Sequence, residues 1–172
     1  VQDEIEMLGG ALSIIPAVRY DWYDLSPEVD ALFPASATGQ SEDHISPKLG
    51  VVWWADRRFG LFANYAEGFR APSPMQVNNY FENPVFGYTS IPNPDLEPET
   101  SDSIEGGLRF RDIAAFGGEL RLQTTAFSTH YDNFIEQVVA SGTGVPGVDP
   151  LIYQYVNLTN VDIWGLEARG DV

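Results

Sequence analysis

The chain has no cysteine, and it sets only nine lysines and arginines against 25 aspartates and glutamates, a net charge of −16 over 172 residues. Without thiols there is no disulfide framework and no thiolate metal centre. The shortage of cations excludes nucleic acid as a partner, because phosphates demand Lys and Arg. Long apolar runs are also missing. The longest, Val51-Val52-Trp53-Trp54-Ala55, falls far short of the roughly 20 residues of a membrane helix. Val1-Gln2-Asp3-Glu4 is neither basic nor followed by an apolar block, so the chain reads as mature or as cut from something longer. No nucleophile–base group, phosphate loop or paired-carboxylate constellation stands out, and the reading is not an enzyme.

What is present alternates. Leu12, Ile14, Pro16, Val18, Tyr20 and Trp22 share one side of an extended chain, and Ser13, Ala17, Arg19 and Asp21 share the other. Leu49, Val51 and Trp53 repeat the pattern, as do Phe59, Leu61, Ala63 and Tyr65. So do Ile104, Gly106, Leu108 and Phe110, then Leu120, Leu122, Thr124 and Ala126, and finally Trp164, Leu166 and Ala168. A period of two is that of strands, not of helices. With residues 1–8 as the tail of another strand, the pattern predicts an all-β antiparallel meander of about seven strands.

The links between strands fall into two kinds. Short ones are expected at Gly9-Gly10, Asp56-Arg57-Arg58 and about 112–118; long ones at about 26–44, 71–100 and 136–154. They alternate strictly, so an antiparallel meander gathers all the short turns at one end and all the long loops at the other. That asymmetry is the pattern of a transmembrane β-barrel, with short periplasmic turns and longer outer loops. Trp22, Tyr23, Tyr65, Phe69, Tyr131 and Phe134 fall near the long loops, and Trp53, Trp54, Phe59 and Phe110 near the short turns. Two aromatic girdles around a lipid-facing band are expected of such a barrel, which makes outer-membrane lipid a partner. Arg19, Asp21, Asn64, Glu105, Arg109, Arg121, Gln123, Glu167 and Arg169 would then form a polar inner wall. A soluble β-sandwich also alternates, but its links need not alternate in length and run shorter than these.

Asn64-Tyr65-Ala66-Glu67-Gly68-Phe69-Arg70-Ala71-Pro72 resembles a signature of TonB-dependent outer-membrane receptors. Asn93-Pro94-Asp95-Leu96-Glu97-Pro98-Glu99-Thr100-Ser101 is similar to that family's second motif, in the right order and spacing. Residues 70–79 followed by Gly87-Tyr88-Thr89-Ser90-Ile91 are most similar to the haem, haemoglobin, transferrin and lactoferrin receptor branch. The resemblance covers essentially the whole chain. It implies a receptor that binds haem, an iron-carrier protein or another iron source outside and moves haem or iron inward with energy from the TonB complex. Such receptors have a barrel of about 22 strands around a plug. Here residues 1–172 read as a partial barrel domain without the plug through which TonB acts. No intrinsic cofactor is implied; haem or ferric iron is cargo. Many haem receptors place a histidine between the two motifs, and residues 73–92 hold none. A ferric siderophore or other nutrient therefore stays open as cargo, and an adhesin or binding module without transport stays open as a different class.

The cargo-binding candidates are Arg70, Tyr80, Phe81, Phe86 and Tyr88. A phenolate can ligate haem iron, exposed aromatics offer flat contact area, and Arg70 could bind an anionic cargo group. The blander readings are rings that pack the loop on itself and an Arg70 paired with Glu97 or Glu99. The motif residues Phe69, Arg70, Ala71, Pro72, Asn93, Pro94, Asp95 and Leu96 would shape the loop base. His44, placed in an outer loop, and His130 lack a second histidine at ligand spacing and read as solvated or hydrogen-bonded, not as metal ligands. The acid pairs Glu28/Asp30, Glu42/Asp43 and Glu97/Glu99 could bind divalent cations, but simple solvation is the better reading. Asn157-Leu158-Thr159 matches a glycosylation sequon that reads as chance in a bacterial strand.

Overall fold

The structure, a computed structural model, describes residues 1–28, 37–115 and 117–171. Among these, one sheet takes in β1 (Ile5–Met7), β2 (Leu12–Leu25), β3 (Gln40–Trp54), β4 (Phe59–Arg70), β5 (Phe81–Asn83), β6 (Tyr88–Ile91), β7 (Glu99–Ala115), β8 (Gly118–Ser141) and β9 (Leu151–Asp171). Its order is β1-β2-β3-β4-β7-β8-β9-β6-β5. The seven strands from β1 to β9 that omit β5 and β6 pair antiparallel in chain order, which is the expected meander. Among the described residues no helix is long and apolar enough to cross a membrane.

The register carries the two-sided pattern from strand to strand. Pro16, Leu49, Tyr65, Ile104, Ser128 and Trp164 form one continuous row across six strands. Beside it runs Ile14, Val51, Ala63, Gly106, Ala126 and Leu166. Large apolar side chains on this face stand in the open: Tyr20 is 63% exposed, Ile104 62%, Trp164 78% and Leu166 80%. The opposite face holds Asn64, whose Nδ2 donates to Glu105 Oε1 at 2.8 Å, and the row Arg109, Gln123, Arg169. Apolar residues outside and hydrogen-bonded polar residues inside is the order of a barrel wall in lipid.

Three details differ from the sequence expectation. The loop placed at about 136–154 shrinks to 142–150, because β8 and β9 stay paired through an irregularity after Val139 to Ser141↔Ile152. Those strands outrun the 9–11 residues that cross a bilayer, and above the lipid both faces meet water, so Glu136, Gln137 and Gln154 need not alternate. Likewise β3 begins at Gln40, so Glu42, Asp43 and His44 are strand residues and not loop. Finally, Trp54, Tyr23 and Tyr131 sit on the inward side of the alternation and do not belong to the lipid girdles. Phe59 and Phe110 do face outward together, with ring centroids 5.2 Å apart.

Candidate functional site

The loop from 71 to 98 rises from the strand ends β4 and β7, where Arg70 sits opposite Glu99. Arg70 Nε donates to Glu99 Oε2, while Glu99 Oε1 accepts from the Ile135 amide at 2.6 Å. Glu99 is only 7% exposed, so it is a buried acid with a cation and an amide for partners. It is neither a solvated carboxylate nor half of a cation site with Glu97. Glu97 instead accepts from Asn133 Nδ2 at 2.9 Å. Phe69 stacks against His44 at 4.8 Å, and His44 Nε2 lies 2.5 Å from Glu67 Oε1. The histidine is thus a packed, hydrogen-bonded wall residue.

Just above, Ser73 caps the short helix α1 (Pro74–Asn78). Its Oγ accepts from the Gln76 amide, Gln76 Oε1 accepts from the Ser73 amide, and proline at the first position needs no partner for a missing N–H. Val77 of the helix is fully buried, as are Pro72 and Leu96 of the same loop, and its carbonyl accepts from the Asn93 amide at 3.0 Å. Ala71 lies half-buried between strand end and helix cap. The second motif ties this core to the far strands. Asn93 Nδ2 donates to the Tyr155 carbonyl at 2.8 Å, and Asn93 Oδ1 accepts from the Asp95 amide at 3.1 Å. The Pro94 and Leu96 carbonyls each accept from Gln40 Nε2 at 3.0 Å. Asn157 accepts from the Glu97 amide and donates to the Glu97 and Asn133 carbonyls. This engagement is what the supposed sequon asparagine does.

The loop then forms the β5–β6 hairpin, and β6 adds in parallel to the upper part of β9, Tyr88↔Leu151 through Ile91↔Gln154. Phe81 and Tyr88 meet at 5.8 Å, and Tyr88 meets Tyr153 edge-on at 6.2 Å. Tyr88 Oη accepts from Asn83 Nδ2 at 3.3 Å, so its ring and hydroxyl are both committed to the hairpin. Tyr80 and Phe86 point away, 55% and 74% exposed, and Phe81 is 50% exposed. Tyr80 Oη donates to Glu82 Oε1 at 2.5 Å, and the carboxylate pushes the phenol pKa up from its usual value. Val85 and Val148 are also exposed, at 78% and 81%.

Of the candidates, Tyr80, Phe81, Phe86 and Tyr88 gather on one hairpin, and Arg70 is engaged below them at the loop base. Tyr153 and Val148 were missed, because both fall where a structureless loop was expected and neither belongs to a motif. Asp30 lies outside the described residues. Among the described residues no cluster of three or more His, Asp or Glu is arranged to hold a metal ion.

Comparison with known proteins places this geometry. The family model described as TonB dependent receptor-like, beta-barrel, matches residues 1–171. Heme/hemopexin utilization protein C of Haemophilus influenzae is 27% identical over 187 residues, taking in 96% of this chain and 24% of that protein. A hemin receptor of Yersinia enterocolitica is 32% identical over 181 residues, with 98% of this chain and 25% of the relative covered. Among solved structures, the Serratia marcescens hemophore receptor HasR, a double mutant in complex with its hemophore HasA and heme, superposes with a TM-score of 0.68. That match has 22% identity over 94% of this chain and 29% of HasR. The siderophore receptor PirA of Pseudomonas aeruginosa gives a TM-score of 0.70 at 23% identity, over 97% of this chain and 29% of PirA. The chain spans about a quarter of the length of the curated relatives it matches. With its seven-strand meander, outward apolar rows and matched family model, the chain belongs to the TonB-dependent receptor β-barrel family of the bacterial outer membrane.

Proposed function

We propose that this chain is the barrel-wall segment of a receptor that takes up haem, or iron from a haem- or iron-carrying protein, with energy from TonB acting through a plug elsewhere in the full-length protein. The observation that carries this reading is the alignment of almost the whole chain, both motifs included, with a heme/hemopexin utilization protein and a hemin receptor. The outer hairpin suits a flat, largely apolar cargo or the surface of the protein that delivers it. Tyr80, Phe81 and Phe86 present exposed rings on a scaffold fixed by α1, Asn93 and β9. Arg70 is a positioning residue in this reading, since Glu99 already occupies its guanidinium. The family consists of transporters, and no catalytic step is assigned.

The second reading is a ferric siderophore. It is favoured by the lack of any histidine in residues 73–92, and the Tyr80 hydroxyl is already engaged as a donor to Glu82. Haem titration of the full-length receptor separates the two. The haem reading expects a Soret shift on binding, weakened by Phe81→Ala and Phe86→Ala. Loss of the shift on Tyr80→Phe would make Tyr80 an iron ligand. No Soret response, with tight ferric-siderophore binding, would overturn the haem reading.

A further inference from the structure

Six of the nine cations, Arg57, Arg58, Arg109, Arg111, Arg121 and Arg169, lie at the short-turn end of a chain that is otherwise strongly acidic. Four of them, Arg109, Arg111, Arg121 and Arg169, converge with Asp171 on a cavity of about 310 Å³ whose lining includes Trp54 and Gln123. Trp54, Gly60, Arg109, Gln123 and Arg169 occupy one row on the inward face, so this cavity opens to the barrel lumen near its periplasmic end.

Two of these guanidinium groups are held by their faces. Arg111 lies 3.7 Å over the Trp54 ring, and Arg109 lies 4.4 Å over the Phe62 ring. Each ring rests on a glycine that a side chain would displace. A Cβ on Gly60 would come within 2.8 Å of the Trp54 ring, and one on Gly107 within 2.9 Å of Phe62 and 1.9 Å of the Thr124 carbonyl. Stacking uses the face of a guanidinium and leaves its in-plane N–H edge free to donate. Each of these edges has one neutral protein partner, through Nε. Arg109 Nε reaches Gln123 Oε1 at 3.2 Å, and Arg111 Nε reaches the Arg57 carbonyl at 2.9 Å. Among the described residues, Asp171 is the only carboxylate within ion-pair distance of the four, at 3.3 Å from Arg169. Four arginines against one carboxylate suit bidentate binding of carboxylates, and the two held by stacking, Arg109 and Arg111, lower the ordering cost of binding.

We propose that Arg109, Arg111, Arg121 and Arg169 form a lumenal binding site for a molecule or segment bearing several carboxylates. It rests on the barrel wall and its lumen, and not on which cargo the receptor takes. Two sources share this chemistry: a small polycarboxylate in the lumen, and acidic side chains from another part of the full-length receptor.

The experiment titrates citrate into the full-length receptor in detergent by calorimetry and measures the salt dependence of its thermal midpoint. Wild type is compared with R109Q/R111Q, with R109K/R111K and with R19Q, a lumenal cation outside the cavity. Citrate binding weakened about tenfold or more by R109Q/R111Q and untouched by R19Q supports a small-anion site. No citrate binding in wild type, with a midpoint that falls and loses its salt dependence in R109Q/R111Q alone, supports occupation by the receptor's own carboxylates. If R109Q/R111Q fails to fold, R109K/R111K runs the same test, because Lys keeps the charge but cannot bind bidentately. If the arginine variants match wild type in both measurements, or if R19Q loses as much as they do, the proposal is overturned.

Discussion

Asp56 shows how a single carboxylate closes a periplasmic turn. Its Oδ1 accepts from the Arg58 amide at 2.6 Å and the Phe59 amide at 2.8 Å, and these donors hold its pKa below the usual carboxylate value. A depressed pKa means that the stabilising contribution is present above the unfolded value of about 3.9 and is lost as pH falls through the folded one. Asp56→Ala should therefore lower the urea midpoint of the full-length barrel at neutral pH, and the gap from wild type should close on acidification below about pH 4. Glu99 is the outer counterpart. Glu99→Ala strands the Ile135 amide in a buried position and frees Arg70, with an expected cost of about 1–3 kcal/mol read from the same unfolding curves. The Asp56 turn was visible in the sequence as Asp56-Arg57-Arg58. The choice of Glu99 over Glu97 as the partner of Arg70 was not. It depends on the Arg70↔Glu99 register, which pairing across a loop of nearly 30 residues sets.

At the level of elements, the loop from 71 to 98 behaves as a small domain pinned to the barrel rim. Leu96 is 2% exposed, and Val77 and Pro72 of the same loop are buried with it. Leu96→Ala should cost the loop about 2–5 kcal/mol and open it while leaving the strands paired. Limited proteolysis should then cut between residues 73 and 98, with the barrel still folded in a gel-shift assay; cleavage no faster than in wild type would count against a loop core. The strands themselves were legible because lipid on one side and water on the other impose alternation. Where that demand lifts, legibility failed, as at the upper ends of β8 and β9 and at Gln40–His44. The bonds of Asn93 to Tyr155, Gln40 to Pro94 and Asn157 to Glu97 were also illegible, since each joins residues more than 50 apart, with no local pattern to betray it. The motifs marked where the loop is anchored, but not to what.

For the whole molecule, the controlling fact is which face meets lipid. An arginine in the middle of the outward row should be costly, at about 2–4 kcal/mol for Ile104→Arg, while Glu105→Gln on the lumen side should be nearly silent. Refolding yield into lipid vesicles reads the difference. Residues 1–172 hold no cysteine, so single cysteines placed one at a time along β7 and β9 map the two faces directly once any cysteine elsewhere in the full-length protein is replaced by serine. Spin labels at Ile104, Trp164 and Leu166 are expected to collide with oxygen dissolved in the bilayer, and labels at Glu105, Gly165 and Glu167 with a water-soluble nickel chelate. A two-residue alternation of these accessibilities in the full-length protein, reconstituted in vesicles, is the predicted result. Uniform accessibility along both strands, or oxygen contact at Glu105 and Glu167 instead, would contradict the barrel-wall account.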